Sequence, residues 1–171
     1  MYICKYISPL GAITIASHSG KSLCGLWFEG QKYFGGNILC GNISEISEKS
    51  SLPVFEQTAD WLDIYFGGGI PKFTPEIEIT DTPFRKAVWE NLLKIPYGET
   101  VTYGDIANDI GAKTLESSPR AVGSAVGRNP VSLIIPCHRV VGANGALTGY
   151  AGGIDRKEKL LLMEKTREPI V

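Results

Sequence analysis

One stretch of the 171-residue chain puts a nucleophile, a base and a cation side by side: Pro136-Cys137-His138-Arg139-Val140, closing the apolar run Val131-Ser132-Leu133-Ile134-Ile135. A base or cation near a thiol favours the thiolate and draws the thiol pKa below its ordinary value of about 8.5. The chemistry such a pattern suggests is attack by an activated cysteine. The only other histidine is the remote His18. Neighbouring side chains project in different directions, so adjacency alone makes no Cys–His contact, and a structural Cys-His pair is the rival reading. The remaining cysteines, Cys4, Cys24 and Cys40, form no Cys-x-x-Cys pair. They read as buried, inert thiols. A zinc site from Cys4, His18 and Cys24 fits no standard ligand spacing.

The elements that must position Cys137 fall into two parts, divided near residue 80. In the first, Ala12–Ala16 follows the turn Ser8-Pro9-Leu10-Gly11, and Leu23–Phe28 follows His18-Ser19-Gly20-Lys21. These predict two strands of a hairpin or meander. Phe55, Ala59, Leu62 and Phe66 recur at helical spacing, so a helix is expected from Pro53 to Phe66, stopped by Gly67-Gly68-Gly69. Residues 70–80 read as an extended connector. In the second part, Thr82-Pro83 starts a helix to about Ile95. Thr102 with Asp105 forms a capping box for a short helix from Tyr103 to Ile110, ended by Gly111. Ser118-Pro119 caps a third helix, Arg120 to about Val126, and a last helix runs from about Asp155 to Lys165. Two short helices joined by a turn outline a helix-turn-helix. The third helix carries small residues (Ala121, Gly123, Ser124 and Ala125), which allow a partner, or another helix, to approach closely.

Charge divides with the parts. The net charge of −1 is ordinary and at first argues against a dedicated DNA binder. Residues 1–80, however, hold five lysines, no arginine and eight acids, whereas residues 81–171 hold six lysines, six arginines and ten acids. The acid-free stretch Ser117–Val141 contains Arg120, Arg128 and Arg139, which points to phosphate contact by the third helix. Hydrophobic residues at 43% and charged residues at 20% fit a folded domain and exclude disordered and low-complexity classes. With no secretory signal pattern at the N-terminus and no membrane-length apolar run, a cytoplasmic location is the expectation.

Several ordered motifs share one resemblance. Ser8-Pro9-Leu10-Gly11, Pro96-Tyr97-Gly98-Glu99-Thr100-Val101-Thr102-Tyr103, Arg120-Ala121-Val122-Gly123, Arg128-Asn129-Pro130, Pro136-Cys137-His138-Arg139-Val140 and Gly149-Tyr150-Ala151-Gly152-Gly153 occur in this order. Together they resemble the O6-alkylguanine-DNA alkyltransferases over nearly the whole chain. The resemblance implies an α+β protein: an N-terminal support domain over residues 1–80, with a small antiparallel sheet and helix of ribonuclease H-like form, and a C-terminal winged helix-turn-helix domain over 81–171. It implies repair of O6-alkylguanine in double-stranded DNA by single-turnover transfer of the alkyl group to Cys137, without cofactor or metal. Glu164 and His138 would form a relay to the thiol through water, Asn129 would organise the active-site turn, and Tyr103 would serve in catalysis and in DNA binding. Arg120 would take the place of the flipped base in the stack, with Ala121, Gly123, Ser124 and Arg128 along the DNA. Val140, Tyr150 and Ala151 would line the guanine pocket. Minor-groove binding with weak sequence preference, by a monomer, completes the expectation.

Other readings stand beside these. On pattern alone Glu164 is an ordinary helix-surface acid, Asn129 a turn former, Tyr103 a core residue and Arg139 a structural hydrogen-bonder. A cysteine hydrolase or acyltransferase, or a winged-helix regulator without chemistry, are the alternative functions. The chain also departs from relatives: the segment Gly111–Ser118 is long, Ala151 stands where some members have serine, and Gly104 replaces a common polar residue.

Overall fold

The computed structural model describes residues 1–36, 44–45, 52–111 and 117–170. Cys40 and most of the long turn before the third helix lie outside them. The first part begins with β1 (Tyr2–Ser8) and β2 (Gly11–Ser17), paired antiparallel in register Tyr2↔Ser17 to Ser8↔Gly11. Gly11 turns the hairpin at φ +110°, a conformation that favours glycine, and the Ser8 hydroxyl donates to the Gly11 carbonyl at 2.6 Å. β3 (Gly25–Phe28) pairs antiparallel with β2, and the two-residue β4 (Ser44–Glu45) pairs parallel with β1, giving the order β3-β2-β1-β4. The sheet is thus antiparallel apart from one short parallel edge. α1 (Pro53–Phe66) has the expected ends and buries Val54, Phe55, Trp61, Leu62, Tyr65 and Phe66.

The second part follows its capping chemistry closely. α2 (Pro83–Leu92) starts with the Thr82 hydroxyl accepting from Arg85 N–H at 3.4 Å. It stops a turn before Ile95, because Pro96 disfavours helical backbone at the residue before it; Ile95 is still buried. β5 (Val101–Thr102) leads into α3 (Tyr103–Gly111) through a reciprocal capping box: Thr102 N–H donates to Asp105 Oδ2 at 2.8 Å, and Asp105 N–H to Thr102 Oγ1 at 3.1 Å. α4 (Pro119–Gly127) starts with Ser118 Oγ accepting from Ala121 N–H. The Trp89 indole donates to the Ala125 carbonyl at 3.0 Å and ties α2 to α4. A 3-10 turn at Cys137–Arg139 runs into β6 (Val140–Val141), which pairs parallel with β5, and α5 (Ile154–Thr166) closes the fold.

One hydrophobic cluster runs through both parts, from Ile13 and Leu26 to Val140 and Met163. Backbone bonds cross between them as well: Leu26 N–H donates to Pro130 O and Ser132 N–H to Leu26 O, both at 2.8 Å. The N-terminal sheet therefore holds the segment that leads to Cys137. Among the described residues, no helix is long and apolar enough to cross a membrane, and Cys4, His18 and Cys24 gather into no metal-binding cluster.

Candidate active site

Cys137 sits at the start of its 3-10 turn because Asn129 folds the preceding loop. The Asn129 amide donates to Ile135 O at 2.7 Å, and its Oδ1 accepts from Val131 N–H at 3.0 Å. Ile135 N–H returns to Val131 O, and Leu133 is held at φ +70°. A non-glycine residue there carries strain on the order of 1–3 kcal/mol, sustained by the buried surroundings of Leu133.

Beside this turn, Glu164 of α5 collects five donors. Oε1 accepts from His138 Nε2 at 2.7 Å, from the Tyr65 hydroxyl at 2.7 Å and from Arg139 Nη2 at 3.0 Å. Oε2 accepts from Arg139 Nε at 2.9 Å and from Gly98 N–H at 3.0 Å. Burial alone would raise the carboxyl pKa, but hydrogen bonds and charge from His138 and Arg139 hold it far below the usual carboxylate range. Glu164 is 2% exposed, so it is no surface acid. Arg139 faces inward, bound to Glu164 and to Ile95 O at 2.7 Å, and so drops out of the basic strip. Burial lowers the His138 pKa first; Glu164 opposes this, while Arg139 and Lys157 add to it. The ring is held neutral.

The thiol departs from the simplest reading of its neighbours. His138 turns Nε2 toward Glu164, and Nδ1 has no hydrogen-bond partner among the described residues, so Cys137 and His138 do not pair directly. Cys137 is 3% exposed, and burial raises its pKa above the ordinary value, against the Asn129 hydrogen bond and the Lys157 charge that lower it. The resting group is a thiol.

Lys157, which sequence reasoning passed over, is fully buried and donates to the carbonyls of Val140, Thr148 and Gly149. Burial pushes its pKa down to about 8, opposed by Cys137. The Tyr103 hydroxyl reaches the same Thr148 and Gly149 carbonyls, at 3.2 Å each. Its pKa is raised by burial and by Cys137. Tyr150 presents a buried hydroxyl with no hydrogen-bond partner among the described residues, and its ring packs so near Gly152 that a Cβ there would meet it at 2.6 Å. Ala151 O accepts from Lys32 N–H at 2.9 Å. Arg156 joins Leu10 O to Gly152 O and lies 4.8 Å over the Phe28 ring.

The structure brings Cys137, His138, Glu164 and Asn129 into one buried cluster, with Tyr103 and Tyr150 close enough for Cys137 to influence both. On α4, Arg120 and Ser124 are exposed, Ala121 and Gly123 are half-buried, and Val122, Ala125 and Val126 face the core. Gly123 lies against the Tyr103 ring, 3.7 Å from where a Cβ would stand. The Arg128 guanidinium stacks on Tyr33, 4.7 Å from the ring centroid. Tyr65 is the other site residue missed in the sequence, where the apolar face of its helix was read from Phe55, Ala59, Leu62 and Phe66.

These shifts set an acid limit on stability. The unfolded chain takes up protons on His138 below its ordinary 6.5 and on Glu164 below 4.5, while the folded protein, with both pKa values lowered, resists both. The unfolded state then binds more protons, so stability falls as pH falls. Thermal melts should show Tm dropping as pH passes below 6.5 and more steeply below 4.5. A Tm flat across that range would contradict the linkage.

Fold and site together define a class: a helix-turn-helix protein whose central cysteine is buried beside a charge-anchored His–Glu pair. Comparison with known proteins narrows the class to a family. Residues 1–79 match the family described as 6-O-methylguanine DNA methyltransferase, ribonuclease-like domain, and residues 83–166 match its DNA binding domain. The methylated-DNA–protein-cysteine methyltransferase of Mycobacterium tuberculosis is 44% identical over 165 residues, covering 95% of this chain and 91% of its own length. That of Methanosarcina acetivorans is 40% identical over 172 residues, covering 96% and 98%. The crystal structure of M. tuberculosis OGT in complex with DNA superposes with a TM-score of 0.83 at 41% identity, over 99% of this chain and 96% of that one. The chain belongs to the 6-O-methylguanine DNA methyltransferase family.

Proposed function

We propose that this protein repairs DNA by moving the alkyl group of O6-alkylguanine irreversibly to its own Cys137. The observation that carries the reading is Cys137 itself, on an Asn129-braced turn beside the His138–Glu164 pair, in a chain of this family. A new S–C bond forms as the C–O6 bond breaks, and the electron pair leaves with guanine. The thiol proton passes through water to His138 Nδ1, whose partnerless lone pair suits an acceptor. The product thioether resists water, so each molecule acts once. Because burial keeps the resting cysteine protonated, the relay makes the thiolate when it is needed.

The target base must leave the duplex to reach a thiol so deeply buried. The small exposed face of α4 supports minor-groove docking, with Arg120 filling the place of the extruded base and Ala121, Gly123, Ser124 and Arg128 along the backbone. Val140, Tyr150 and Ala151 form the walls of the guanine pocket. Tyr103, whose raised pKa keeps it a phenol, donates to the departing ring. Contacts to phosphate and shape give weak sequence preference. The protein acts as a monomer in the cytoplasm, where its free thiols Cys4, Cys24 and Cys137 suit a reducing milieu. Its two domains divide near residue 80, a reading supported by the separate family matches to 1–79 and 83–166.

The test is stoichiometry: with excess duplex carrying O6-methylguanine, repair should plateau at one lesion per protein. Continued turnover would point to a hydrolase or acyltransferase instead. Arg120→Ala should slow single-turnover repair by about tenfold or more, since unstacking a base costs a few kcal/mol. Binding to undamaged duplex should change by no more than about twofold, because one phosphate-scale contact contributes little to the total. An unchanged repair rate would remove Arg120 from the flipping step.

A further inference from the structure

The relay is not built from the C-terminal part alone. Tyr65, from α1 in the N-terminal part, is fully buried. Its hydroxyl stands 2.7 Å from Glu164 Oε1 and 3.1 Å from His138 Nε2. We infer that Tyr65 is a positioning residue for alkyl transfer, fixing the tautomer and basicity of His138 through Glu164.

The hydrogen-bond inventory supports one arrangement. Glu164 is ionised against Arg139 and only accepts. The single Tyr65 proton therefore goes to Oε1, and the phenol's lone pairs face His138. With acceptors at 2.7 Å and 3.1 Å around Nε2, His138 carries its proton on Nε2. Nδ1 is left as the bare lone pair and can serve as a base. By donating to Glu164, Tyr65 also draws charge from the carboxylate and weakens its pull on the Nε2 proton.

Packing fixes the hydroxyl in place. The Tyr65 ring stacks on Trp61 at 5.1 Å and 16°, and meets His138 edge-on at 6.3 Å and Tyr97 edge-on at 6.0 Å. Tyr65→Phe therefore removes one oxygen and keeps the ring packing. The ionisable groups facing this corner are His138 and Arg139 from the 3-10 turn, Glu164 and Lys157 from α5, Tyr150, and Tyr97 from the α2–β5 connection, which meets the Tyr65 ring and lies under Arg139. Among the described residues, Tyr65 is the group from the N-terminal part that hydrogen-bonds into it.

This rests on the relay proposed above, and the experiment separates the two. Single-turnover methyl transfer is measured against pH for wild type, His138→Gln, Tyr65→Phe and a wild-type chain with 3-fluorotyrosine at position 65. The relay reading requires His138→Gln to be slow and to lose the acid limb of the profile; a wild-type profile for it would overturn that reading. Given a slow His138→Gln, Tyr65→Phe should be slower by about tenfold, the scale of a misoriented base. Its acid limb should move to higher pH, because Glu164 freed of one donor holds the His138 proton more tightly. The fluorinated phenol, a stronger donor in an intact fold, should move the limb the other way. A Tyr65→Phe profile superimposable on wild type, or a fluorotyrosine protein with an unmoved limb, would overturn the inference and leave Tyr65 as packing.

Discussion

Replacing Glu164 with alanine should unfold this protein more readily than any other single substitution in the site, by about 3–5 kcal/mol. The carboxylate is the common acceptor for His138, Tyr65, Gly98 and two guanidinium nitrogens of Arg139. Its removal leaves a buried cation with Ile95 O as its one remaining hydrogen-bond acceptor among the described residues, and the Tyr97 ring 5.6 Å away. It also leaves the buried Tyr65 hydroxyl without its acceptor and the imidazole with only the longer contact to that phenol at 3.1 Å, and an orphaned donor adds roughly 1–3 kcal/mol when water cannot reach it. For a chain of this length that loss should lower Tm by about 10 °C or more. Glu164→Gln should recover only part of it, because one carboxylate oxygen becomes an NH₂ facing the Arg139 and Gly98 donors. A melt of Glu164→Ala within a degree or two of wild type would mean that the five-donor arrangement does not form in solution.

The second large effect is chemical. Cys137→Ala should abolish alkyl transfer outright, since among the described residues Cys137 is the one thiol in the cluster, while binding to methylated duplex stays near that of wild type. The side chain is nearly fully buried, yet losing one sulfur from the core costs only on the order of 1 kcal/mol, so the fold survives. Loss of DNA binding together with transfer would recast Cys137 as a structural residue. Residual transfer would place the acceptor elsewhere.

Local chemistry was legible in the sequence, and long-range chemistry was not. The bounds of α1 and the caps at Thr82, at Thr102 with Asp105, and at Ser118 could be read because each needs only a few neighbouring residues. β1 was missed: Tyr2, Ile3, Cys4, Tyr6 and Ile7 are apolar on both faces, so no period-two alternation appears, and Ile7 is 78% exposed. Tyr65 and Lys157 were missed because their partners lie on other elements, Glu164 for one and the Val140 and Thr148 carbonyls for the other. Arg139 looked like part of a basic strip because a charge count carries no direction. The thiol pKa went the opposite way from the reading of its neighbours because burial, which sequence adjacency does not reveal, outweighs the nearby cation.

Within the cluster, proximity and ionisation are arranged separately. Arg139 fixes Glu164 as an anion, Glu164 orients His138, and Asn129 shapes the turn that presents Cys137. Nothing in this chain of contacts requires a standing thiolate. That suits a protein that is consumed by its own reaction, since a protonated resting cysteine is a poor target for stray electrophiles.

The most direct test of the central claim is the intact mass of the protein after incubation with duplex DNA carrying O6-methylguanine, followed by peptide mapping. One methyl group per molecule, located on the peptide containing Cys137 and matched by an equal number of restored guanines, is the predicted result. Restored guanines with an unmodified protein, or a methyl group on any residue other than Cys137, would contradict the account.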